Sequence, residues 1–162
     1  MNEKLKSALI GGLIAGIASG LPYVGAVNTA CCALYIGGGV LATYLYMKDL
    51  RASSKAPYGE GAVVGLLAGL FGGIVATIIP LFTGGYEDVA AQMLASFDMA
   101  AQQGAEIPQA FRDMFDTSDG VSGTLITVML VMNVVMAAIA ATIGGLVGVA
   151  ILHKKEAPTD AP

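Results

Sequence analysis

The sequence predicts an all-α polytopic membrane protein: four transmembrane helices in two glycine-rich hairpins, plus an extracytoplasmic amphipathic helical loop. Three observations carry this. Of 162 residues, 56% are hydrophobic and only 12% charged, whereas a soluble domain has about a quarter of its residues charged. The charges also avoid the apolar runs altogether, although a helix facing water carries one on its wet face at every turn. Finally, Gly61, Gly65, Gly69 and Gly73 recur at four-residue spacing in the uncharged stretch 61–82. That spacing makes one smooth helix face into which another backbone can press.

Met1 to Ser7 is a polar start with Lys4 and Lys6, and the first span covers about residues 8–27. Roughly 20 residues cross a bilayer core, and Pro22 near the far end should cap or bend the helix. The basic start and the small triplet Val24-Gly25-Ala26 also resemble a secretory signal with its cleavage site. Against cleavage, Gly12-Leu13-Ile14-Ala15-Gly16-Ile17-Ala18-Ser19-Gly20 is nearly repeated as Gly65-Leu66-Leu67-Ala68-Gly69-Leu70-Phe71-Gly72-Gly73, in a span too late to be a signal. A short uncharged turn returns the second span, about 29–47, beside the first. It carries Cys31, Cys32 and Tyr35, the triplet Gly37-Gly38-Gly39, which is expected to mark a close helix crossing, then Tyr44 and Tyr46.

The polar linker 48–59 separates the hairpins, and the third span, 61–82, follows with Glu60 at its threshold and Pro80 in its last turn. Residues 83–122 form the outer cap. Within it 85–103 reads as an amphipathic helix with Val89, Met93, Leu94, Phe97 and Ala101 on one face, ended by Gly104. Pro108 suits the start of a shorter helix with Phe111, Met114 and Phe115 on one side, and both helices are expected on the membrane surface. The last span, 123–152, exceeds bilayer thickness unless it tilts or projects. Ala137, Ala141 and Gly145 form one ladder along it, and Ala140, Gly144 and Gly148 a second. The expected helix-packing residues are therefore Gly12, Gly16 and Gly20, the four glycines 61 to 73, and Ala141, Gly144, Gly145 and Gly148.

Basic residues give the orientation. With a cytoplasmic amino terminus, four spans place seven of the eight lysines and arginines inside and only Arg112 outside. The expected location is the cytoplasmic membrane of a prokaryote, with both termini cytoplasmic. The outer loop then sets Glu87, Asp88, Asp98, Glu106, Asp113, Asp116 and Asp119 against Arg112. Such a cap would suit a basic protein surface or cations, although solvated acidic loops are commoner.

Chemistry has few residues to stand on. Transporters driven by protons or sodium usually keep an ionisable group inside the membrane, and these spans have none. Asn133 is the strongest buried polar candidate, better read as an interhelical hydrogen-bonding group than as a solute contact. Ser19, Thr77, Thr127 and Thr142 can bond their own helix carbonyls. Adjacent Cys31 and Cys32 cannot bridge each other without strain. With Met129, Met132 and Met136 they suggest a soft-ligand site for monovalent copper, but packing is the better reading, because those methionines reach toward mid-membrane, away from the thiols. His153 has no companion ligand, and Asp113, Asp116 and Asp119 do not follow the alternating pattern of a calcium loop. No phosphate loop, nucleophile elbow, paired catalytic carboxylate or basic aromatic patch is present. The expectation is no enzyme activity, no cofactor and no nucleic-acid partner.

The first 47 residues combine Gly12-Leu13-Ile14-Ala15-Gly16, Pro22, Asn28-Thr29-Ala30-Cys31-Cys32 and Gly38-Gly39-Val40-Leu41-Ala42-Thr43-Tyr44-Leu45-Tyr46. This pattern is similar to a group of small prokaryotic membrane proteins of unknown function that carry an Asn-x-x-Cys-Cys turn before a glycine-rich second span. The resemblance implies four spans and assigns no functional residue. The leading functional expectation is a structural or interaction subunit, an accessory, anchoring or assembly protein that packs against lipid, its own copies or other membrane helices. The alternatives are an oligomeric passive channel or carrier for a small neutral solute, and a lipid-binding or membrane-shaping protein.

Overall fold

A computed structural model describes residues 3–21, 32–48, 56–118 and 120–153. Among these it contains helices and no strand: α1 (Glu3–Gly20), α2 (Ala33–Met47), α3 (Tyr58–Thr83), α4 (Gly85–Gln102), α5 (Gln109–Asp113) and α6 (Gly123–Leu152). By length and composition α3 and α6 can cross a membrane. Helix α2 is apolar, but its 15 residues rise only about 22 Å, short of a roughly 30 Å hydrocarbon core.

Three boundaries differ from the sequence expectation, each for a local reason. Helix α1 starts at Glu3 rather than near residue 8, because Lys6 pairs with Glu3 one turn back and Lys4 finds a partner on α3. Its described part ends at Gly20, and the expected stretch 22–27 lies outside the described residues. Helix α2 starts at Ala33 rather than near residue 29, since Cys32 sits in the left-handed region at φ 51° and cannot extend the helix backward. Helix α3 opens at Tyr58, directly after Pro57, and stops at Gly84, whose φ of 71° suits the residue that ends a helix.

Helices α1, α2, α6 and α3 form a ring in that order, and α2 also reaches α3 across the middle. The rungs give the directions. Gly61, Gly65, Gly69 and Gly73 of α3 meet Gly145, Ala141, Ala137 and Asn133 of α6, so these two helices run antiparallel in a fixed four-residue register. Gly11 meets Ala42 and Gly38 meets Ala15, so α1 and α2 are antiparallel as well. Gly12 against Ala68 and Gly16 against Gly72 make α1 and α3 parallel. Gly39 against Ala141, with the Thr43 hydroxyl donating to the Gly145 carbonyl at 3.4 Å, makes α2 and α6 parallel. Both hairpins therefore point the same way.

The interior consists mostly of small residues, with Ala8, Ala15, Ala42, Ala68, Ala76, Ala137, Ala140 and Ala141 all buried. The bulky side chains face outward: Ile10, Leu13, Ile14 and Ile17 on α1, Leu66, Ile74, Ile78 and Leu81 on α3, and Val131, Val135, Ile139 and Ile143 on α6. A soluble bundle buries its leucines and isoleucines. The reverse arrangement belongs where the solvent is as apolar as the side chains and only close backbone approach rewards association.

Helices α4 and α5 lie at the end where α3 stops and α6 begins. Ala90, Phe115 and Leu125 form the centre of this cap, with Leu94, Phe97, Met114 and Met129 packed around them. The buried face of α4 is thus Tyr86, Ala90, Leu94 and Phe97, whereas Val89, Met93 and Ala101, expected on the same face, are exposed. Tyr86 begins this buried face. Its hydroxyl donates to the Thr77 carbonyl at 2.7 Å, drawing the first turn of α4 back along α3, and burial pushes its pKa up so that it remains a donor. The long α6 is used in full, its first two turns carrying Leu125 and Met129 into the cap.

A matched pair of substitutions tests this packing. A Cβ on Gly69 would overlap the Ala137 carbonyl, whereas one on Gly37 would meet nothing within 4 Å. Gly69→Leu should lower stability by at least the roughly 1–3 kcal/mol typical of overpacking, while Gly37→Leu should melt like the parent. Thermal unfolding of the two purified variants in the same detergent measures both, and equal melting would place the Gly69 face in lipid.

Candidate functional site

Among the described residues no three His, Cys, Asp or Glu side chains converge on a metal site, and the distinctive chemistry of the bundle is backbone contact. Each of the four bundle helices carries a glycine doublet. Adjacent helical residues point about 100° apart, so a doublet can serve two neighbours at once. Gly11 faces α2 and Gly12 faces α3; Gly38 faces α1 and Gly39 faces α6; Gly72 faces α1 and Gly73 faces α6; Gly144 faces α2 and Gly145 faces α3.

The predicted packing residues sit at these seams. A Cβ on Gly12 would overlap the Ala68 carbonyl, one on Gly16 would lie 2.6 Å from the Gly72 carbonyl, and one on Gly20 would lie 2.8 Å from Ile79. Gly61 faces Val149 and Gly145, Gly65 faces Ala141, and Gly73 faces Val134. Gly144 is pressed against the Ile36 carbonyl and Gly148 against Thr43. Sequence reasoning missed Gly11 and Gly72, and it took Gly37-Gly38-Gly39 as a close crossing without naming the neighbours, which are α1 for Gly38 and α6 for Gly39. The doublets themselves were the available signal, since one four-residue ladder needs only one glycine per turn.

Other candidates separate. Asn133 offers its backbone carbonyl to the Gly73 seam, and no described residue hydrogen-bonds its side-chain amide, so the amide does not pin the register. Cys32 packs against the interior cluster of Ala15, Tyr35, Ala76, Ala137 and Ala140, while Met132 and Met136 face outward and Met129 joins the cap. The soft-ligand set is not brought together, and Cys31 lies outside the described residues. In the cap, the Ser118 backbone N–H donates to Asp116 at 2.9 Å and, with the Ser118 side chain, holds that carboxyl below the usual range. Asp98 is paired with Arg112 at 2.8 Å. Phe97, Phe111 and Phe115 stack as a trio with ring centroids 5.5 to 5.9 Å apart.

One polar cluster was not anticipated. At the end opposite the cap, Lys4 of α1 pairs with Glu60 of α3 at 2.5 Å, and the Tyr46 hydroxyl of α2 donates to the same carboxylate oxygen at 2.5 Å. The Lys4 ammonium also lies 5.8 Å from the Tyr46 ring centre, a cation–π distance. Three helices are thereby tied at one point. The signal lay in three residues far apart in the sequence, and only the ring order brings them together.

A family model described as MJ1491 transmembrane domain matches residues 5–154. Comparison with curated proteins and with solved structures gives no match.

The polar tie is testable by a double-mutant cycle on Lys4→Met and Glu60→Gln. Both side chains are about a third exposed, so each single change should cost about 0.5–1 kcal/mol. The pair should be non-additive, and the coupling should shrink as salt is raised. Additive losses in thermal melting would mean that the pair does not hold α1 to α3.

Proposed function

This chain belongs to the MJ1491 transmembrane domain family, and on that premise we propose that it is an assembly or anchoring subunit: a rigid four-span body held in the membrane for other membrane helices to dock on. The observation that carries the reading is the packing of the bundle. Backbones meet through all four seams, so the described interior of one copy offers no continuous polar route for a solute. The described outward faces carry mainly aliphatic side chains, which would not hydrate a conduit between copies.

One outward face differs. On α2 the exposed positions are Ala33, Gly37 and Tyr44, where the other helices present isoleucine, leucine or valine. An added Cβ would meet nothing at Gly59 and Gly123, in the first turns of α3 and α6, or at Gly37, and of these three only Gly37 lies in mid-helix. It is the position at which a partner backbone could approach as closely as the internal ones do.

The proposed orientation puts the Lys4–Glu60–Tyr46 end in the cytoplasm and the cap outside, following the bias of basic residues. In a background with Cys31 and Cys32 replaced by serine, a cysteine at Ser118 should react with an impermeant reagent applied to intact cells, and one at Ser53 should not. The reverse pattern would invert the topology.

The assembly role itself is tested by purification in a gentle detergent, with mass identification of what travels with the chain. Parent protein should carry a defined membrane partner or a second copy. Gly37→Leu should lose it while keeping its melting temperature. Co-purification unchanged by Gly37→Leu would remove this face from the reading, and gradient-dependent solute uptake in proteoliposomes would favour the channel or carrier alternative.

A further inference from the structure

Tyr35 is the one aromatic side chain buried within the described four-helix interior, at 3% exposure. Its ring packs against Ala15, Ala76, Ala137 and Ala140 and reaches Gly72, filling the space that the small residues leave between the helices. A phenylalanine would fill that space equally well, so the hydroxyl needs its own explanation. Among the described residues neither the Tyr35 hydroxyl nor the buried Ser19 Oγ on the facing helix α1 has a hydrogen-bond partner. The register that sets Gly11 against Ala42 and Ala15 against Gly38 brings Ser19, one turn further along α1, opposite the first turn of α2, where Tyr35 lies.

The other hydroxyls of the spans behave differently. Thr77 donates to the Gly73 carbonyl at 2.9 Å, Thr127 to Gly123 at 2.8 Å and Thr142 to Ala138 at 2.6 Å, each four residues back on its own helix. Ser19 does not do this, and a tyrosine is too long to do so. Two unpaired hydroxyls in a bundle surrounded by hydrocarbon are costly, because bulk solvent cannot satisfy them there.

We propose that Tyr35 and Ser19 form a buried hydration site, in which one water molecule bridges the two hydroxyls between α1 and α2. Water is the smallest neutral molecule that can both donate to one oxygen and accept from the other. The site lies toward the cap end of the bundle, since Ser19 is in the last turn of α1 and Tyr35 in the first turn of α2. The thiol-bearing Cys32 packs against the same cluster. This inference is independent of the assembly reading.

The test uses the full chain in lipid nanodiscs, with Tyr35→Phe, Ser19→Ala and the double variant. If water bridges the pair, each single change leaves one hydroxyl and the water short of a partner, so both lower the melting temperature. The double variant should then recover part of the loss. Proton NMR on selectively labelled parent protein should also show cross-relaxation from water to the Tyr35 ring and Ser19 side-chain protons, lost in Tyr35→Phe. That second readout separates a bridging water from a direct hydroxyl–hydroxyl bond, which would give the same melting pattern without the water signal. A Tyr35→Phe variant as stable as the parent or more so, or absence of the water signal, would overturn the proposal.

Discussion

In hydrocarbon, a leucine gains nothing by leaving lipid for a neighbouring helix, so association has to come from dispersion between surfaces that fit more closely than lipid can. Everything else in this bundle follows from that constraint. Close approach requires backbone against backbone, and a helix in a four-membered ring must offer it in two directions about a quarter-turn apart. Adjacent glycines meet that need, which is why Gly11-Gly12, Gly38-Gly39, Gly72-Gly73 and Gly144-Gly145 each divide between two seams. The large aliphatic side chains are displaced to the outside, where lipid solvates them.

Smooth seams define distance better than register. A glycine face can slide by one helical turn onto an equivalent face, and glycine adds backbone freedom of its own. The specific polar contacts accordingly lie at the two ends. One end has the Lys4, Glu60 and Tyr46 cluster, which joins α1, α2 and α3. The other has Tyr86 bonded to Thr77 and the phenylalanine trio over Leu125, which hold the cap to α3 and α6. Between them few interhelical hydrogen bonds are made, Thr43 to Gly145 being a long one.

The helical class and the positions of α3, α4 and α6 were legible because composition and the separation of charge from apolar runs are properties of local sequence. So was the ladder Gly61 to Gly73, whose spacing defines one face. What the sequence does not contain is which neighbour a face meets, because that depends on ring order. Asn133 stood out as the polar residue of the last span, yet the seam there uses its backbone carbonyl. Lys4, Tyr46 and Glu60 each had an unremarkable local context as a terminal lysine, a span-end tyrosine and a threshold glutamate. Gly84 lies outside the packing groove. Its φ of 71° makes it the residue that stops α3, so even an alanine there would be strained.

The internal repeat carries the same lesson further. Sequence similarity aligns Gly12 with Gly65, but the fold pairs Gly12 with Ala68 and sends Gly65 to α6. A four-residue ladder repeated along a helix matches itself under several shifts, so identity between two ladders cannot say that they face the same way. The geometry can: α1 and α3 run parallel and so do α2 and α6, so the two hairpins have the same orientation. Transporters built from inverted repeats have two equivalent ends that open in turn, whereas repeats of one orientation leave the two ends free to differ. Here they do differ, with an ion-paired tie at one end and a folded cap at the other. A body fastened differently at its two ends, with backbone contact along every seam between, is better suited to hold a fixed shape than to rock between two.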